Sequence, residues 1–307
     1  MFVLKRLLSS LPTLFVVSLL VFWLVNLLPG DPAIQIAGPT ATPDEVAQIR
    51  DHLGLNQSAP VRYVRFLRGI VDPSVATSFR TTRPVAQEIA ERLPKTVAIA
   101  VGALLVGLLI GTVTGIICAI RQGTWVDTAV TVLALAGISM PVYWLGLLCV
   151  WFFAVYLGWL PAAGASSPAH FILPILVVST RPAALFSRLV TANLLEVMGK
   201  DFLDTARSKG VSETRVIAVH ALRNSLVAAV SVAGVQFGTM LGGSVVTENV
   251  FGVPGVGRLL VQAVAGSDFP VIQYSVLMFA VFFIFINLVT DIVTQWLDPR
   301  TRQPAAH

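Results

Sequence analysis

The chain has 307 residues, of which 55% are hydrophobic and only 12% charged, with a net charge of +5 and a mean hydropathy of +0.80. Soluble domains carry about 25% charged residues, so one water-soluble globule is excluded and a set of lipid-embedded helices is indicated. The basic residues gather beside apolar runs, where the positive-inside rule puts them, and this excludes reading the charge as a nucleic-acid footprint.

Six runs are long enough to span a bilayer core, which takes about 20 apolar residues: 7–28, 96–120, 128–157, 171–194, 225–246 and 271–297. The first follows Lys5 and Arg6. It is longer than a signal h-region and lacks a small-residue cleavage site after it, so it is expected to stay as an uncleaved anchor. With the N-terminus inside, Lys5, Arg6, Arg121, Lys200, Arg207, Lys209, Arg300 and Arg302 all fall in the cytoplasm, and six spans return the C-terminus there.

Residues 29–95 then lie outside. Long loops escape the charge rule, and here eight basic residues stand against seven acidic ones. Thr42, Pro43 and Glu45 form a helix start, with Val46, Ile49 and Leu53 on one face and Gly54 as the stop. A second helix near 61–70 sets Arg62, Arg65 and Arg68 opposite Val64, Leu67 and Ile70. The segment reads equally as a cap on the outer membrane surface or as a docking structure for substrate.

Inside the membrane, Gly107, Gly111 and Gly115 form a four-residue stripe that predicts close helix packing. The third span is interrupted at Gly137–Pro141, where proline removes a backbone hydrogen bond. The fourth holds Pro174, Pro182 and Arg181, an arginine that must snorkel, pair or face a cavity. The fifth adds Gln236, Thr239 and Ser244 to a stripe of Gly234, Gly238 and Gly242, and these three polar residues are candidates to line a translocation path. Asp291 reads as an interfacial residue pairing with a basic loop.

The sequence excludes several chemistries. Cys118 and Cys149 lie in apolar runs and read as small hydrophobes. His52, His170, His220 and His307 are scattered. No P-loop, zinc-protease, Cys-x-x-Cys or nucleophile-elbow motif is present. Neither a catalytic centre nor a metal site is expected.

One polar element stands between the fourth and fifth spans. Asp201–Asn224 is patterned as a short helix, a turn and a second helix. Asp204, Thr205 and Ala206, followed by Gly210, resemble the Glu-Ala-Ala-x-x-x-Gly loop of ABC importer permeases, with Asp for Glu and Thr for the first Ala. Further matches run in order along nearly the whole chain: Leu28-Pro-Gly-Asp-Pro32, Arg83-Pro-Val, Leu157-Gly-Trp-Leu-Pro161, Gln236-Phe-Gly, Glu248-Asn-Val-Phe251, Pro254-Gly-Val-Gly-Arg258, Asp268-Phe-Pro-Val271 and Leu297-Asp-Pro-Arg300. They resemble the dipeptide, oligopeptide and nickel subgroup, in particular the first of its two paired permeases, and the opening Leu-Pro-Thr-Leu-Phe-Val-Val-Ser at 11–18 with Ile-Ala-Gly-Pro at 36–39 resembles those of glutathione importers. The general loop ends in Pro where this chain has Arg223, a variant the subgroup shares.

The resemblance implies an all-α membrane protein of six transmembrane helices, a type I ABC importer permease fold, with an extended extracytoplasmic segment after the first helix. It implies an N-terminal span 1–28, an outer segment 29–95, a permease core 96–297 with a coupling loop at 196–223, and a cytoplasmic tail 298–307. It also implies a bacterial inner-membrane location, a second related permease, two cytosolic ATPases that carry the ATP and Mg, an external substrate-binding protein, and no cofactor in this chain. Asp201, Asp204, Thr205, Ala206, Arg207, Lys209 and Gly210 would meet the ATPase. The competing classes are a self-contained secondary transporter or channel, for which no inverted repeat or paired intramembrane acids are evident, and a membrane receptor or scaffold, which leaves the polar loop without a purpose.

Overall fold

The computed structural model describes residues 2–27, 31–38, 40–72, 74–212, 215–216 and 222–297. Among these the structure is helical, apart from one antiparallel bridge between Thr77 and Pro84. In chain order the helices are α1 (Phe2–Leu27), α2 (Pro32–Ala37), α3 (Pro43–His52), α4 (Ala59–Val71), α5 (Val85–Ile120), α6 (Trp125–Ser139), α7 (Val142–Cys149, continued as a π-helical turn Val150–Tyr156), α8 (Ala169–Met198), α9 (Asp201–Ser208), α10 (Leu222–Val250), α11 (Val256–Ala265) and α12 (Phe269–Leu297). Three of these, α5, α8 and α12, are long and apolar enough to cross a membrane, or four spans if α6 and α7 count as one bent span. The helices α1 and α10, of 26 and 29 residues, coincide with the first and fifth runs of the sequence. The chain divides into two compact units, Met1–Val97 with Gly252–Ile284 and Ala98–Phe251 with Phe285–His307.

In the first unit, α3 begins as its sequence predicts. The Thr42 amide donates to Glu45 Oε2 at 2.8 Å, and the Glu45 amide returns a bond of 3.4 Å to Thr42 Oγ1, a reciprocal capping box. The backbone N–H and hydroxyl of Thr42 hold the Glu45 carboxyl below its ordinary value. Val46, Ile49 and Leu53 are half-buried, as is Arg50 beside them.

The helix α4 corrects the face expected for it. Val64 and Ile70 are exposed, and Phe66 and Gly69 are buried instead. Tyr63, Phe66 and Leu67 pack with Phe22 and Leu277. The Tyr274 hydroxyl donates to the Phe66 carbonyl at 2.7 Å, and Gly69 leaves room for the Tyr274 ring that a side chain would fill. An aromatic cluster buries more area per residue than a Val/Ile stripe, so the aromatic face wins.

A buried polar knot fixes the loop before α5. Asp268 accepts from the Ser78 hydroxyl and, at 3.1 Å, from the Phe79 amide. Ser78 Oγ in turn accepts from the amides of Arg80 and Thr81. Around it lies an apolar core of Val85, Ile89, Val256, Leu259, Phe269 and Ile272. Thr96 Oγ1 caps the start of α11 by accepting the Val256 amide at 2.9 Å.

In the second unit, the glycine stripe of α5 lies against α8. A Cβ added to Gly111 would sit 2.6 Å from the Ala183 carbonyl oxygen, and one on Gly115 would sit 2.7 Å from that of Ser187. Glycine at these positions permits backbone-to-backbone approach. The fifth-span stripe behaves differently. Gly234 meets Thr290, whereas Gly242 faces open space.

The third span is broken rather than gently kinked. The axes of α6 and Val142–Tyr156 differ by 108°. Met140 adopts an extended backbone, φ −76° and ψ 132°, as a residue before proline prefers. Pro141 has no N–H to give to the Gly137 carbonyl. Exposed apolar side chains such as Leu105, Leu109 and Leu133 fit a lipid surround.

Candidate coupling helix and membrane cavity

The polar element after α8 folds as the short helix α9. Leu203 is its anchor. Fully buried, it joins Ala119 from the end of α5, Leu194 from α8, and Val216, with Ile116, Val197 and Met198 against them. Burying a leucine contributes about 1.5–3 kcal/mol, enough to hold a two-turn helix that would be marginal alone. The opposite face is open: Asp201, Phe202, Thr205, Ser208 and Lys209 are exposed. The Thr205 hydroxyl bonds back to the Asp201 carbonyl at 3.1 Å. The side chains of Asp204, Ala206 and Arg207 lie outside the described residues, as do the ends 213–214 and 217–221 of the element.

Gly210 ends α9 with φ +77°, and a Cβ there would meet nothing within 4 Å. The constraint is therefore conformational, not steric crowding. A left-handed backbone costs an L-residue roughly 1–2 kcal/mol. Leu203 and Phe202 lie outside the residues singled out by the loop motif. The available signal was an adjacent apolar pair in a polar helix, of which one member had to face inward.

A second feature lies within the same unit. A cavity of about 500 Å³ opens where α6, α7, α8 and α10 meet, bounded by Ile138 and Val142 on either side of the helix break. Arg181, Gln236 and Thr239 line it together, among apolar residues that include Val178, Leu185 and Met240. The Thr239 hydroxyl is shared between the Gln236 carbonyl at 2.7 Å and Gln236 Oε1 at 3.0 Å. Ser244, the third path candidate, does not line this cavity. It is fully buried, and its hydroxyl donates to the Leu241 carbonyl at 2.7 Å.

Comparisons with known proteins agree with the helical fold. The family described as "Binding-protein-dependent transport system inner membrane component" matches residues 111–303. A companion, "Binding-prot-dependent transport system membrane comp, N-term", matches residues 1–100. The chain is 44% identical over 301 residues to the "Glutathione transport system permease protein GsiC" of Salmonella paratyphi A (strain ATCC 9150 / SARB42), covering 98% of both chains. It is 43% identical, with the same coverage, to the protein of that name in Escherichia coli (strain K12). Among solved structures, the inward-facing MetNI methionine ABC transporter matches with a TM-score of 0.59 at 18% identity, over 70% of this chain and 98% of that one. An amino acid ABC transporter with histidines matches with a TM-score of 0.51 at 15% identity, over 70% and 94%. At such identities these two structures establish the fold. With family matches over most of its length and relatives this similar from end to end, the chain belongs to the binding-protein-dependent transport system inner membrane components, the permeases of ABC importers.

Proposed function

We propose that this permease serves an importer of glutathione or similarly short peptides, as one of two related permeases that share a translocation path. Of two cytosolic ATPases, one binds the loop 196–223 of this chain through α9, with Asp201, Asp204, Thr205, Ala206, Arg207, Lys209 and Gly210 at the contact. ATP and Mg act on those subunits, and this chain is non-catalytic. An extracytoplasmic binding protein delivers the peptide. Residues 29–95 lie outside, both termini lie in the cytoplasm, and the protein resides in the bacterial inner membrane.

The observation that carries this reading is the geometry of α9. One face is fastened into the transmembrane bundle by Leu203, and on the other Asp201, Phe202, Thr205, Ser208 and Lys209 are exposed. A short rigid element held on one side and open on the other transmits displacement from a partner into α5 and α8. The partners supply the differential affinity for the two conformations, since a ligand shifts an equilibrium only by preferring one state.

The test is co-purification with the second permease and the ATPases, followed by reconstitution with the binding protein. ATP-dependent accumulation of glutathione is expected. Accumulation driven by an ion gradient, without ATPases, contradicts the proposal.

A further inference from the structure

Resting on the peptide-import reading, we propose that Arg181, with Gln236, forms a carboxylate-binding site in the membrane cavity, which holds an acidic group of the peptide as it crosses.

Arg181 lies near the middle of the 30-residue α8, between apolar stretches. A guanidinium at the centre of a spanning helix is costly to insert. Such residues persist where they pair or face water. Among the described residues no carboxylate pairs with Arg181, and no acidic residue lines its cavity. The positive charge is thus offered to the cavity.

The neighbouring groups match it. Gln236 Oε1 is engaged by the Thr239 hydroxyl, which turns the amide NH₂ away from Thr239 as a donor. The cavity is thus lined by a forked guanidinium and an amide side chain, among apolar residues and with no acid among those that line it. Guanidinium and carboxylate pair bidentately through two parallel hydrogen bonds. Hydrogen bonds of this kind are reversible, so the same guanidinium can hold a carboxylate and release it. The volume of about 500 Å³ falls within the roughly 300–1,000 Å³ usual for small-ligand sites.

The test uses the complete reconstituted importer with its binding protein and radiolabelled glutathione. Arg181→Met and Arg181→Lys keep a similar stem and differ in charge. The Met variant is expected to assemble at the wild-type yield, with peptide uptake at least tenfold lower, and the Lys variant to recover uptake to within about threefold of wild type. Wild-type uptake by the Met variant overturns the site, as does a Lys variant no better than Met. A Met complex that no longer assembles assigns Arg181 to an acid of the second permease, and also overturns it. Should neither variant insert, Gln236→Leu decides: uptake at least threefold lower supports the site, and unchanged uptake overturns it. A wild-type importer that carries no peptide instead refutes the functional reading beneath the proposal.

Discussion

The Thr191 hydroxyl on α8 is shared between the Ser187 carbonyl of its own helix, at 2.8 Å, and the Gly115 carbonyl of α5, at 3.1 Å. A polar side chain can link two membrane helices in this way only where the backbones come close, and the glycine stripe of α5 brings them close. The same contact sits beside the cluster that holds Leu203, so the rigidity of the α5–α8 pair bears directly on what α9 can transmit.

Gly111→Ala is expected to destabilise the protein by about 1–3 kcal/mol, the usual cost of overpacking. Its Cβ would lie 2.5 Å from Phe186 Cβ and 2.6 Å from a carbonyl oxygen, and neither can step aside cheaply. Gly242→Ala faces open space and gains helix propensity of up to about 1 kcal/mol. Thermal unfolding in detergent should separate the two variants. Equal midpoints would contradict the packing described for α5.

Ser78→Ala removes one of the donors to the buried Asp268 carboxylate. A buried acceptor left short of a partner costs about 1–3 kcal/mol. Unfolding followed by tryptophan fluorescence should show that loss, and Asp268→Asn in the Ser78→Ala background should add less than it does alone. Strict additivity would mean that the two side chains do not interact.

The capping box of α3 makes a pH prediction. The folded Glu45 carboxyl is held below its ordinary value by the backbone N–H and hydroxyl of Thr42. A depressed carboxyl contributes stability that is present above its unfolded value and is lost as pH falls through its folded value. Amide protection along α3, corrected for the slower intrinsic exchange at low pH, should therefore fall on acidification in the wild type. Glu45→Gln should flatten that dependence, and an identical pH profile in both would rule out the capping role.

The elements legible in the sequence share a local cause. The Thr42–Glu45 box depends on residues three apart, and the Gly107–Gly115 stripe on the helical repeat. Both could be read without knowing what lay opposite. The face of α4 could not, because Phe66 is selected by Phe22 and Tyr274, which lie far away in the chain. The break at Pro141 was readable as a missing hydrogen bond, but its 108° angle follows from packing. Ser244 looked like a path residue because it is polar, whereas a serine in a helix can satisfy itself on the preceding turn, as it does on Leu241. For Arg181 the sequence allows snorkelling, pairing or a cavity, and only the convergence of four helices brings it into one cavity with Gln236.

Leu203→Ala should loosen α9 at its root. Truncating a buried leucine costs about 2–5 kcal/mol, concentrated here where α9 meets α5 and α8. Insertion and assembly should persist, while amide exchange in α9 rises and transport falls several-fold. Protected α9 amides in that variant would show that Leu203 is not the anchor.

The central claim is that the stroke of external ATPases enters this chain through α9 and the left-handed turn at Gly210. The most direct measurement is peptide taken up per ATP hydrolysed, in reconstituted vesicles containing the complete importer, for Gly210→Val beside the wild type. The account predicts an assembled complex that still hydrolyses ATP with that ratio reduced at least tenfold. An unchanged ratio would contradict it.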